Sequence, residues 1–359
     1  MAVLGVTISP GITIPPGVTI SSPVVYAVAI AHAGAPYVSV YPWNSSTGFG
    51  TKYSDPATTP TGTGNGVTFS PDGNVLAVAH STTPFVSAYP WSTATGFGSK
   101  YTNPGTLPAG TGYSPKFNPA GNVLALGHST SPYLSAWAWN NSTGFGSKYS
   151  NPGTLTGQPG WSVDFSPDGN NIVTGFGSIP YLSAYPWSNS TGFGTIYADP
   201  VTRPAADALG VAFSPAGNAV AAAVNTTVYA QAWTWSGSGF GSKYADPGTL
   251  VGNGASGVAF TPAGDAVAFA VSNSPRIQVY PWTYASGFGT KYANPGTLPS
   301  GTTGNGVAFA PTGDAVVLAH TGTPYVIAYA WNSSTGFGTK YSDPATLPTG
   351  TGNGVTFSS

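Results

Sequence analysis

The sequence predicts an all-β protein, a seven-bladed β-propeller of four-stranded antiparallel blades, on three observations. The tripeptide Gly-Phe-Gly recurs seven times, centred on Phe49, Phe97, Phe145, Phe193, Phe240, Phe288 and Phe337, at intervals of 47 to 49 residues. A second marker, a Phe closing a short apolar run, recurs at Phe69, Phe117, Phe165, Phe213, Phe260, Phe309 and Phe357 with nearly the same period. Finally, 50 Gly and 34 Pro among 359 residues argue against long helices. Self-similarity at such a fixed period points to a repeat architecture in which each unit buries its apolar faces against its neighbours.

Within a unit the pattern resolves into four short strands, at residues 66–70, 74–80, 85–91 and 97–101 of the second repeat. Ser70-Pro71-Asp72-Gly73 supplies a tight turn between the first two. The third strand is apolar on both faces: in Tyr181-Leu-Ser-Ala-Tyr-Pro-Trp187 the aromatic residues alternate with Leu and Ala. A strand without a polar face lies between two layers, as in blades that stack radially.

The termini predict how the ring closes. The opening unit has its second, third and fourth strands, at residues 24–31, 37–43 and 49–53, but no first. The chain ends on Asn353-Gly-Val-Thr-Phe-Ser358, a first strand with nothing after it. Residues 354–358 are therefore expected to complete the blade begun at residue 24. Residues 1–23 fall outside the repeat. They carry three hexads of their own, Val6-Thr-Ile, Ile12-Thr-Ile and Val18-Thr-Ile with turn residues after each. Two domains are thus expected: an arm, 1–23, that anchors the protein or touches another chain through strand edges, or else trails as a loose tail, and the propeller, 24–359.

Composition removes several functions. Nine basic residues and a net charge of −1 cannot make the clustered cationic footprint that nucleic acid demands. Every acid is Asp, and charged residues make up 5% of the chain. Zero Cys excludes disulfides and thiolate chemistry. No stretch approaches the length of a membrane span, and the N-terminus lacks the features of a signal peptide, so neither insertion nor export by the general secretory route is expected.

Val67-Thr-Phe-Ser-Pro-Asp-Gly-Asn-Val-Leu-Ala-Val-Ala-His80, followed by a strand ending in Trp91, resembles the core of a WD-repeat unit, and the resemblance covers residues 24–358. The longer consensus, a strand closing in Tyr-Pro-Trp and then Ser334-Thr-Gly-Phe-Gly-Thr-Lys-Tyr-Ser-Asp-Pro-Ala-Thr-Leu-Pro348, resembles propeller repeats encoded by tailed bacteriophages and prophages. That resemblance implies a virion-associated structural or adhesive protein. No blade Trp is followed by Asp, so the buried hydrogen-bond network of many WD blades is expected to be missing. Fold transfers by such likeness more readily than function.

Candidate sites were weighed against the repeat. His32, His80, His128 and His320 share one repeat position. Equivalent positions on packed sheets lie about 10 Å apart, too far to share a zinc, so packing or a wet strand end explains them and no metal or cofactor is expected. Lys52/Asp55, Lys243/Asp246 and Lys340/Asp343 recur at one register, which reads as a turn cap, and the strand Lys residues guard the outer edges. One constellation breaks the repeat. Before the second marker Phe, the innermost strand carries small residues or Thr except for Lys116 and Asp164; four residues before it, the only aromatics are Tyr113 and Trp161. These four residues should converge beside the central channel. They suit a sugar ring, whose C–H face stacks while its hydroxyls hydrogen-bond; the alternative is an ion pair with gap-filling aromatics. No nucleophile, base and orienter set stands out. The combined expectation is a non-enzymatic virion component, tail or capsid decoration, with residues 1–23 contacting other virion proteins, a host-surface glycan as candidate ligand, and self-association left open. A cellular or exported lectin or scaffold is the alternative.

Overall fold

The computed structural model describes residues 26–154, 158–250 and 253–359. The expected arm, residues 1–23, lies outside them. Twenty-eight strands, β1 to β28, form seven separate four-stranded antiparallel sheets. Each sheet uses four strands that are consecutive in the chain, apart from the one that closes the ring.

That sheet is ordered β28 (Gly352–Phe357), β1 (Tyr26–His32), β2 (Val38–Asn44), β3 (Gly48–Phe49). Phe357 faces Val28 and Val355 faces Ile30 across the closing pair. Beyond the strand, Ser358 and Ala27 exchange two hydrogen bonds, N–H to O=C at 2.8 Å and Ala27 N–H to Ser358 Oγ at 2.9 Å. The predicted closure therefore holds, with the last strand beginning two residues earlier than expected.

Both sequence markers exist because of a single side chain. Trp43 meets Phe49 of its own outer strand, Phe357 of its own inner strand and Tyr341 of the preceding blade, edge to face, at centroid distances of 5.2, 5.4 and 5.0 Å. Trp91 repeats the pattern with Phe97, Phe69 and Tyr53. Edge-to-face pairs add about 0.5–1.5 kcal/mol each beyond area burial. The Gly of Gly-Phe-Gly makes room for the visiting Tyr: at Gly48 (φ +82°) a Cβ would lie 2.9 Å from the Tyr341 Cβ. The Tyr hydroxyl then donates to a carbonyl of the next blade, Tyr53 to Thr93 at 2.7 Å and Tyr341 to Ser45 at 2.5 Å.

The outermost strand departs from expectation. Residues 97–101 were expected to form it in the second blade, but only Gly96–Phe97 does. The cause lies in the third strand. Where that strand carries Pro42, Pro90, Pro186 or Pro281, its partner is two residues long; where Ala138, Thr234 or Ala330 stands there, the partner runs five residues, Gly144–Lys148, Gly239–Lys243 and Gly336–Lys340. Proline has no N–H to donate to the ladder. A short, twisted edge resists pairing with other chains.

A buried polar pair recurs in three blades. His32, His80 and His128 are fully buried, and each Nε2 lies 2.9–3.0 Å from the Oγ of a Ser seven residues on, Ser39, Ser87 and Ser135. His320 differs: Ile327 occupies the Ser position, and both ring nitrogens are buried without a partner.

Candidate functional site in the central channel

The innermost strands line a central cavity of about 890 Å³. Each of them has a β-bulge at its start, visible as a register shift between Gly112 and Ser114 and between Gly160 and Ser162. A bulge re-aims the extra residue, and the extra residues here are Tyr113 and Trp161. In three other blades the same position holds Asn, and its amide laces one blade to the next: Asn305 Nδ2 to Gly352 O, Asn353 Nδ2 to Gly64 O and Asn65 Nδ2 to Gly112 O, all 2.8 Å. Blades three and four substitute two rings for that lacing. Tyr113 and Trp161 sit with centroids 4.5 Å apart and planes at 46°. Burial pushes the Tyr113 hydroxyl above its usual pKa.

Lys116 and Asp164 also come together, with Nζ 2.9 Å from Oδ1. The carboxylate side chain is 10% exposed and the ammonium side chain 45%. Asp164 Oδ2 accepts the Phe213 N–H at 2.8 Å, and Ser162 Oγ accepts the Val211 N–H at 3.2 Å. Those amides sit on the free edge of β16 (Ala208–Phe213), so blade four caps part of blade five with side chains. The four residues singled out by the sequence are thus neighbours on β8 (Gly112–Phe117) and β12 (Gly160–Phe165).

Sequence reasoning missed the residues that support them. Gly177 belongs to a repeat column otherwise filled by Ala33, Ser81, Ser129, Asn225, Ser272 and Thr321. A Cβ there would stand 2.9 Å from Trp161 Nε1 and 2.7 Å from the Pro159 ring, so glycine is what lets the indole lie down. Trp161 Nε1 is buried against it with no hydrogen-bond partner. Asp207, just ahead of β16, adds a second carboxylate to the lining. Both signals were available in the repeat columns, since each residue departs from its equivalents.

The Lys and Asp residues expected to cap outer turns do so: Lys52 bonds Asp55, Lys243 bonds Asp246 and Lys340 bonds Asp343, while Lys100, Lys148 and Lys291 bond Asn103, Asn151 and Asn294.

No family model matches the sequence, and no curated protein matches it. Solved structures share the fold over nearly their whole length. A "putative 6-phosphogluconolactonase" from Bacteroides uniformis is 15% identical with a TM-score of 0.71, the likeness covering 93% of this chain and 99% of that one. Another from Bacteroides fragilis is 12% identical, TM-score 0.73, over 93% and 98%. A periplasmic gluconolactonase from Pseudomonas aeruginosa is 14% identical, TM-score 0.72, over 94% and 99%. At such identity the likeness establishes the propeller fold and no more.

These neighbours correct three expectations: a virion structural role, a virion location and the absence of enzymatic activity. The three solved structures are of bacterial proteins named as lactonases, one of them periplasmic, and none of the three is named as a virion part. The physical reason for the error is visible in the blades. The consensus that resembled phage repeats consists of the Trp, Phe and Tyr residues that pack each blade and the Lys and Asp or Asn residues that cap six of the seven, so it reports the fold and not the origin. Likewise, the WD likeness extends to the seven-bladed fold alone.

Proposed function

We propose that the protein is a cellular carbohydrate-binding propeller whose channel, at blades three and four, takes a sugar or sugar lactone, with lactone opening as its reaction. The observation that carries the reading is an aromatic and charged departure from the repeat on two adjacent blades, where Tyr113 and Trp161 lie against each other and the Lys116–Asp164 pair lines the same cavity. The tilted rings offer an apolar platform for a sugar's C–H face. Lys116 presents its remaining N–H donors to the channel, while Asp164, held by the Phe213 amide, fixes the ammonium in place. Aimed at a lactone carbonyl, that ammonium would stabilise the negative charge that grows on the oxygen as water adds. The names of the structural neighbours support this choice of substrate class.

The test follows proton release from D-glucono-1,5-lactone in a pH-stat. A saturable rate above the buffer-catalysed opening, reduced at least about tenfold in Lys116→Ala, is expected. A rate equal to that of buffer alone, together with no saturable binding of lactone or glucose, overturns the proposal.

A further inference from the structure

Resting on that reading of the channel, we infer that its ligand is uncharged, a sugar or sugar lactone that bears neither phosphate nor carboxylate. A complete account of the cations carries the inference. Among the nine basic residues of the chain, six lysines are spent at the outer rim on the Asp or Asn three residues further on. Arg203 pairs with Asp199, and Arg276 donates to the Gly301 carbonyl. Lys116 is the one cation that lines the cavity, and it is paired with Asp164. Asp207 lines the same cavity and has no cationic partner among the described residues.

Two carboxylates against one ammonium leave the cavity net negative. Phosphate recognition uses guanidinium forks, several ammonium groups or the open N-terminus of a helix. This lining offers none of them, since its only cation is engaged and the described chain is built of strands. A phosphorylated or acidic ligand would meet like charge, which is how a site rejects a near relative of its ligand. Hydroxyls are served instead. The Nδ2 atoms of Asn65, Asn305 and Asn353 are committed to backbone carbonyls, which leaves three Oδ1 acceptors along the lining.

The same charge balance acts on the reaction. Water's oxygen bonds to the lactone carbonyl carbon, the ring C–O bond breaks, one water proton ends on the former ring oxygen and the new acid loses the other. The product therefore carries the charge that the cavity disfavours, and its departure is assisted.

The experiment compares D-glucose, glucose 6-phosphate and gluconate by isothermal titration calorimetry at one ionic strength, on wild type, Trp161→Ala and Asp164→Asn. Saturable binding of glucose that Trp161→Ala abolishes, with glucose 6-phosphate and gluconate at least about tenfold weaker, supports the inference. Asp164→Asn frees Lys116 and is expected to narrow that preference. Equal or tighter binding of glucose 6-phosphate by wild type, still dependent on Trp161, overturns charge selection while the site stands. Failure of all three probes to bind wild type overturns the site reading itself, and this inference with it. The wild-type comparison decides the matter even where a variant does not fold.

Discussion

Acid should unfold this protein through its histidines, and His320→Val measures one of them alone. All four are fully buried, and burial lowers each from 6.5 to about 4. The native state thus keeps them neutral while the unfolded chain takes up a proton near pH 6.5. Stability is fully present above that value, declines as pH falls through it, and stops declining on this account near pH 4, where the folded histidines titrate too. Between pH 7 and pH 5 the loss is about 2 kcal/mol for each histidine. Four together give about 7 kcal/mol, comparable with the whole stability of an ordinary domain. Asp72 and Asp168, held below the usual carboxylate value by hydrogen bonds from Ser70 and Ser166 and their turn neighbours that outweigh the opposing effect of burial, stay ionised throughout this window. His320 suits the test because its two nitrogens have no partner and Val already fills the position at Val224 and Val271. At pH 7 His320→Val should stabilise by about 1 kcal/mol through removal of unsatisfied polar atoms, and at pH 5 the advantage should grow to about 3 kcal/mol. Guanidinium titrations at both pH values read the difference directly. An advantage that is the same at pH 7 and pH 5 refutes the reasoning.

Three further outcomes follow from particular contacts. Deleting residues 352–359 removes β28 and with it the Phe357 contact to Trp43; the chain should lose cooperative thermal unfolding or aggregate, and an unchanged melting curve would show that the ring does not depend on its closing strand. Pro90→Ala should lengthen the outer strand of blade two from two residues to about five, as at Ala138, seen as slowed amide exchange at residues 98–100; unaltered exchange would break the link between proline and edge length. Gly177→Ser places a Cβ against Trp161 Nε1 and Pro159 and should cost about 1–3 kcal/mol while weakening glucose binding; full affinity would mean that the indole's seat does not matter.

How much was legible in the sequence depended on whether a residue acts within its own repeat. The strand count, the ring closure and the Lys caps followed from columns of similar residues, because a contact repeated from blade to blade selects the same side chain each time. The outer-strand lengths were equally present, in the alternation of Pro with Ala or Thr, but the reading followed residue type and did not ask which N–H the ladder needs. The His–Ser bond was overlooked for a related reason. The His column was weighed only as a metal site and read as packing or a wet strand end, although a Ser seven residues on accompanies His in three blades.

The candidate site was legible only where the columns disagree. Tyr113, Lys116, Trp161 and Asp164 stood out as exceptions, and the fold brings all four onto one wall of the channel. The misreading came from treating the agreeing columns as evidence of origin. A residue that packs an identical blade seven times is constrained by the blade alone, whatever cell or particle carries it. Exceptions obey the opposite logic. Each removes a group that other blades keep: the two rings stand where blades one, two and seven place a lacing Asn, and Gly177 gives up a side chain so that an indole can turn. The ring–ring contact and the Lys116–Asp164 pair replace some of what is lost, so glucose binding that depends on Trp161 is the result that would separate a ligand site from repacking.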